Sequence, residues 1–334
     1  MFQQLSGFLF FVLVGYTAAA GDTKWDHTSD KYGVYTWAKH FPHCNGRSQS
    51  PIDIKDPTYN KDLGNIAFQN YGTIPSNVNV TAKNTGHSYS VSFTGFTASK
   101  TPKISAGGLP GEFKLAAFHF HWGSNHTLGS EHYVNGKSYP SELHLVHFNS
   151  KYSSVSVGVT KSDGLAVLGV LLKQGKRNSN FDFLYHEKNN VTEPNSEAKF
   201  NLTSLMGLLP VDKSFYRYNG SLTTPHCQEV VTWTVFSHPV EIAHEQLEEL
   251  RNMKFVDPMN MTKPLVNNYR PIQALNGRMV LSNFGKTATT TNPTTFTAKS
   301  NPTMPTTTAG AAGGMNENMF VFLASLCLVL CLFL

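Results

Sequence analysis

Two runs of this 334-residue chain hold residues whose types and spacing could do chemistry together: Phe118-His119-Phe120-His121-Trp122-Gly123 and Glu142-Leu143-His144-Leu145-Val146-His147. Alternate side chains of a β-strand share a face, so His119 and His121 point one way while Phe118, Phe120 and Trp122 point into an apolar layer on the other. The second run alternates as well and puts Glu142, His144 and Val146 on one face. The roughly twenty residues between the runs suit a return on a neighbouring antiparallel strand, which would bring His144 to the first pair. Three neutral imidazoles leave the fourth position of a tetrahedral Zn2+ to water, the ligand count of a catalytic centre; a structural site fills all four with protein. Buried imidazoles without partners cost stability, so an in-phase set of this kind is better explained by a metal than by packing.

The elements that must carry these residues are mostly strands. Alternation marks residues 88–93, 118–122, 142–148 and 230–236, and the continuous apolar run 166–172 suits a central strand. Helical spacing is confined to residues 242–250 and to a shorter stretch at 201–205. No repeat or low-complexity break interrupts residues 21–286, which predicts a single domain of the mainly β (α+β) class around a large, mostly antiparallel sheet with a few short helices.

Both ends read as export signals. Residues 8–14 are an apolar run followed by Ala18-Ala19-Ala20, the small-residue pattern of a cleaved signal peptide over residues 1–20; no Lys or Arg precedes it, and a buried strand is the competing reading. Residues 287–309 are rich in Thr, Pro and Ala and read as an extended stalk. Residues 310–334 combine small residues, a polar spacer and the terminal apolar run from Met319 to Leu334, which fits a glycosylphosphatidylinositol attachment signal with Ala309 or Gly310 at the attachment point. A spanning helix is the alternative, but sixteen terminal apolar residues fall short of the roughly twenty that cross a bilayer. The expected location is the extracellular face of the cell membrane, held by a lipid anchor.

Of four cysteines, Cys327 and Cys331 fall in the removable tail, leaving Cys44 and Cys227 as a disulfide pair in an oxidising compartment, with two free thiols the alternative. Sequons at Asn79, Asn125, Asn190, Asn201, Asn219 and Asn260 are glycan acceptors where exposed. The formal charge of +5 comes from 27 basic and 22 acidic residues with no basic run, which gives no argument for nucleic acid.

With these residues in view, the chain resembles the α-class carbonic anhydrases. The resemblance is carried by the two histidine runs and by Ser130-Glu131-His132, Ser221-Leu222-Thr223-Thr224-Pro225, Gln49-Ser50-Pro51-Ile52-Asp53-Ile54, Gly164-Leu165-Ala166-Val167-Leu168-Gly169 and Asn268-Tyr269-Arg270-Pro271, in order across residues 25–285. It implies a twisted sheet of about ten strands, zinc on His119, His121 and His144, and reversible hydration of carbon dioxide to bicarbonate. It further implies that Thr223 and Glu131 orient the attacking water, and that Glu142 and the Asn268 carbonyl fix His144 and His121. Val146, Val167, Leu222 and Trp233 would form the apolar wall for carbon dioxide, with Thr224 on the polar side and His87 as proton relay titrating near neutrality. Carbon dioxide, bicarbonate and water are then the small-molecule partners, and a bicarbonate transporter is a compatible membrane partner.

Four positions depart from the family pattern. Ala117 stands where a glutamine usually holds the first zinc histidine, Thr85 and Ser90 replace asparagines along the water path, and His27 takes a tyrosine position, offering a second relay. The competing function is a non-catalytic carbonic anhydrase-like cell-surface binding protein. Such domains have lost a zinc histidine; this chain keeps all three, with Glu131 and Thr223.

Overall fold

A computed structural model describes residues 24–185 and 191–285. The signal-peptide, stalk and anchor readings, with Asn190, Ala309, Gly310, Cys327 and Cys331, lie outside the described residues. Among the described residues no helix is long and apolar enough to cross a membrane.

The fold is mainly β, a 13-stranded mixed sheet with a few short helices. Its principal path has ten strands: β1 (Thr58–Tyr59), β2 (Asn79–Asn84), β3 (Tyr89–Thr94), β4 (Phe113–Trp122), β5 (Ser141–Asn149), β6 (Leu165–Gln174), β7 (Glu197–Phe200), β8 (Phe215–Gly220), β9 (Val231–Phe236) and β10 (Leu281–Ser282). Their order across the sheet is β7-β2-β3-β4-β5-β6-β9-β8-β10-β1. The expected antiparallel pairing holds through most of it, while β6 pairs β9 and β10 pairs β1 in parallel.

Burial follows the alternation on which the reading rested. Phe118, Phe120, Trp122, Leu143 and Leu145 sink into the larger apolar core, while Val146, Val167, Val231, Trp233 and Val235 belong to a second cluster. The run in β6 is buried from Leu165 to Leu172, as a strand covered on both faces must be. The expected helix at 242–250 is present as His244–Arg251, with Val240–Ile242 a strand before it. The helix expected at 201–205 does not form. Its backbone is spent elsewhere: Thr203 O accepts from Ile74 N at 2.8 Å and Leu205 N donates to Tyr71 O at 2.9 Å, leaving only a 3-10 turn at Met206–Leu208.

Cys44 and Cys227 are joined in a disulfide across 183 positions of sequence. The bond ties an N-terminal turn, Pro42–Asn45, to the loop that follows β8, and that loop carries Thr223 and Thr224. In the chain-entropy picture such a closure restrains the unfolded chain by roughly 5 kcal/mol.

Candidate metal centre

Register brings the three histidines together. In the β4–β5 pair His119 lies directly opposite His144, and His121 opposite Glu142. The shift of register at Leu115 and Ala117 lies just before the paired histidines on β4. Ring centroids are 5.0 Å apart for His119 and His121, 5.2 Å for His119 and His144, and 4.7 Å for His121 and His144. One nitrogen from each falls within 4.8 Å of the others, so the set can hold one ion.

Outer hydrogen bonds decide which nitrogen faces inward. His121 Nδ1 donates to Asn268 O at 2.7 Å, and His144 Nε2 donates to Glu142 Oε1 at 2.8 Å. The lone pairs of His121 Nε2 and His144 Nδ1 are thereby turned to the centre. Among the described residues His121 Nε2 is buried with no hydrogen-bond partner, which is the arrangement a cation would satisfy. Burial holds His121 at about 4 and His119 well below 6.5, so both are neutral ligands at physiological pH. His119 differs in its outer contact: among the described residues no acceptor reaches its ring, and Ala117, buried two residues earlier on β4, offers only a methyl group.

Glu142 is a fully used carboxylate. Oε2 accepts from Glu131 N at 2.9 Å and His132 N at 2.7 Å, and Oε1 accepts from His132 Nδ1 at 2.7 Å as well as from His144. Burial alone would raise its pKa, but the two imidazoles hold it well below the ordinary carboxylate range. Glu131 is the opposite case. Burial pushes it up to about 7, against the pull of His144, the Thr223 side chain and the Arg270 N–H, which donates to Oε1 at 2.8 Å. Its Oε2 lies 3.4 Å from His121 Nε2 and 3.8 Å from His144 Nδ1. A divalent cation held by the histidines would add positive charge here and pull Glu131 down from that value.

The cleft above the histidines has two characters. Val146, Val167, Leu222 and Trp233 form an apolar wall, and Thr85, His87, Ser88, Ser90 and Thr224 line the rest, with Thr223 at the base beside the histidines. All the residues expected to line the pocket therefore meet in one cleft. Trp233 is held by Nε1 donating to Ser221 O at 3.0 Å, and its ring contacts His144 at 4.8 Å.

His87 differs from expectation in its state. Its ring stacks on Trp25 at 3.8 Å and an interplanar angle of 10°, and burial there pulls its pKa down to about 4, with Asp26 opposing. Titration near neutrality requires the ring to leave that stack. His27, 6.4 Å from His87 between ring centroids, is buried with Nε2 unpartnered and is held well below 6.5 by burial and by His87 and His121.

Two supporting residues were not assigned roles from sequence. Arg270 is buried and donates to Gln49 Oε1, Ser50 O and Cys44 O at 2.8, 2.9 and 3.1 Å, anchoring the backbone that reaches Glu131. His132 Nε2 pairs with Tyr218 OH at 2.6 Å, and that hydroxyl donates to Ser50 Oγ at 2.8 Å. Both lie inside recognised motifs; their partners, far away in sequence, gave no local signal. Asn79, Asn125, Asn201, Asn219 and Asn260 are exposed.

The model of the eukaryotic-type carbonic anhydrase family matches residues 32–284. Carbonic anhydrase 1 of Mus musculus is 38% identical over 265 residues, covering 78% of this chain and 98% of that protein. Carbonic anhydrase 7 of Homo sapiens is 36% identical over 267 residues, covering 79% and 98%.

Proposed function

The chain belongs to the eukaryotic-type carbonic anhydrase family, and from that premise we propose that it is a catalytic member, a zinc lyase that converts carbon dioxide and water to bicarbonate and a proton at the extracellular face of a cell membrane. The observation that carries the reading is the inward lone pair of His121 Nε2, buried and unpartnered, beside His119 and His144 with Thr223 and Glu131 in reach. The donor set fits zinc: three neutral imidazoles, two of them fixed by outer acceptors. When bound, zinc brings the pKa of its water from 15.7 to about 7, an effect for which carbonic anhydrase is itself the reference case.

The chain's own residues do the rest. Ionised Glu131 accepts a hydrogen bond from the Thr223 hydroxyl, which leaves the Thr223 oxygen to accept one from the attacking water and aims that water's free lone pair at the apolar wall. Val146, Val167, Leu222 and Trp233 offer an uncharged substrate a surface with little to desolvate. The water oxygen bonds to carbon, one C=O π pair moves to oxygen, and the released proton leaves the cleft. His87 takes that proton on the polar side after swinging off Trp25.

The N-terminal apolar run, the Cys44–Cys227 disulfide and the exposed sequons support export, and the small-residue, spacer and apolar-tail order supports a lipid anchor. Release of the protein from intact cells by a phosphatidylinositol-specific phospholipase is the expected result; retention with the C-terminal tail intact would favour a spanning helix. For catalysis, stopped-flow hydration of carbon dioxide by protein of verified zinc content is compared with His144→Ala. Fast hydration lost in the variant supports the lyase, whereas zinc-loaded protein without hydration returns the chain to the binding-protein reading.

A further inference from the structure

A second cluster of metal-ligating side chains sits on the loop after β4, outside the catalytic cleft. His126 Nε2 and His244 Nδ1 face each other at 3.0 Å, and Glu248, one helical turn after His244, places Oε1 at 3.8 Å from the same Nδ1. All three donor atoms lie within 4.8 Å of one another. We propose that His126, His244 and Glu248 form a second binding site for a borderline divalent cation, with Zn2+ as the probe, joining the 123–130 loop to the helix His244–Arg251.

The donors are held in place without an ion. Arg251, largely buried, donates from Nε to Gly123 O at 2.9 Å, from Nη2 to Asn125 O at 2.7 Å and from Nη1 to Glu248 Oε1 at 2.6 Å. One side chain thus clamps both backbone carbonyls of the loop and the helix carboxylate, so little freedom is left to lose when an ion arrives. The spacing of His244 and Glu248 at i and i+4 puts them on one helix face, and His126 meets that face from the loop. The imidazole pair and the Arg251–Glu248 ion pair account for how these groups are held, and together they leave two nitrogens and a carboxylate oxygen converging on one point. The set of two nitrogens and one oxygen, partly exposed, leaves room for water in the remaining position and suits zinc better than calcium or magnesium, which prefer oxygen alone.

Electrostatics sets the rank of the site. Burial, then Arg251 and His244, lower the pKa of His126 and favour its neutral form, and an ion entering the site displaces the one proton shared between the facing nitrogens. The same guanidinium lies 3.4 Å from His126 Nδ1 and opposes a cation. The site therefore fills after the three-histidine centre, which carries no such positive neighbour. Since the loop it fixes runs on to Ser130 and Glu131, occupancy stabilises the segment between the zinc strand β4 and the carboxylate beside it.

Calorimetric titration of the zinc-loaded full chain with Zn2+ alone tests this. One further equivalent is expected, with a rise in melting temperature. His244→Ala and, separately, His126→Ala should lose that equivalent and that rise while retaining the first zinc and its hydration activity. His244 is about half exposed, so its removal leaves the core intact. Absence of a second equivalent in the unaltered protein, or its persistence in either variant, overturns the site.

Discussion

At each of the three histidines the outward nitrogen decides how firmly the inward one is aimed. His121 and His144 have the Asn268 carbonyl and Glu142 behind them, whereas His119 has Ala117 and no protein acceptor in reach among the described residues. Ala117→Gln supplies an amide oxygen on that side, and outer partners of this kind change metal affinity by about 10- to 100-fold. Zinc release to a chelator should slow by about tenfold in Ala117→Gln; equal release rates would mean that the third ring is already held well enough. His87 poses a complementary question. Stacked on Trp25 it sits at about 4, too acidic to hold a proton at neutral pH. Trp25→Ala removes the burial and should return the His87 titration, followed by its ring proton resonance, toward 6.5. An unmoved titration would place the cause elsewhere than in the stack. The candidate zinc histidines were legible in the sequence because a period of two is all that strand geometry needs to put His119 and His121 on one face. The stacked state of His87 was not, since it depends on Trp25 from a segment distant in sequence.

Elements explain why some of the fold could be read in advance. Strands β4, β5 and β6 carry their own signal, alternation in two and a continuous apolar run in the third, and Thr223, Glu131 and Asn268 came through motif order. What the residues could not announce were contacts made after the chain folds. Tyr71 and Ile74 take the hydrogen bonds that a helix at 201–205 would need, and the short strand β1 exists only because β10, itself paired with β8, offers it an edge. The loop from β4 to Glu131 shows how tight such contacts are. Gly129 packs on the carbonyl of Pro140, where a Cβ would stand 1.9 Å from the oxygen and 2.5 Å from Gly123 N. Neither neighbour is a flexible side chain, so Gly129→Ala must lift the loop off Pro140 and carry Glu131 with it. The expected cost is about 1 to 3 kcal/mol of stability, read as a lower urea midpoint, together with a fall in kcat at full zinc content. Unchanged kcat would show that Glu131 is positioned independently of this loop.

Over the whole molecule, proton binding links the buried histidines to stability. His147, buried with Nδ1 donating to Ala166 O at 3.2 Å and Tyr71 OH at its other nitrogen, is held at about 3, and His87 at about 4; His27 is also held well below 6.5. None of the three touches the metal centre's donors. Each folded-state pKa lies below the unfolded value, so the unfolded chain binds more protons once the pH drops under about 6.5. Their stabilising effect is complete above that pH and is lost as the pH falls toward 4 and then 3, each group contributing at most about 1.4 kcal/mol per pH unit. Glu142, held low by His132 and His144, adds a loss of the same sign below its ordinary 4.5. Glu131, raised to about 7 by burial in the absence of an ion, works the other way, and zinc on the neighbouring histidines pulls it down and shrinks that opposing effect. The zinc-loaded protein should therefore keep a constant urea midpoint above pH 7 and lose it steadily from pH 6.5 to 4.5. A midpoint flat across that window would mean that these histidines are protonated in the folded chain, and that the interior around His147 and Tyr71 is far more polar than its packing implies.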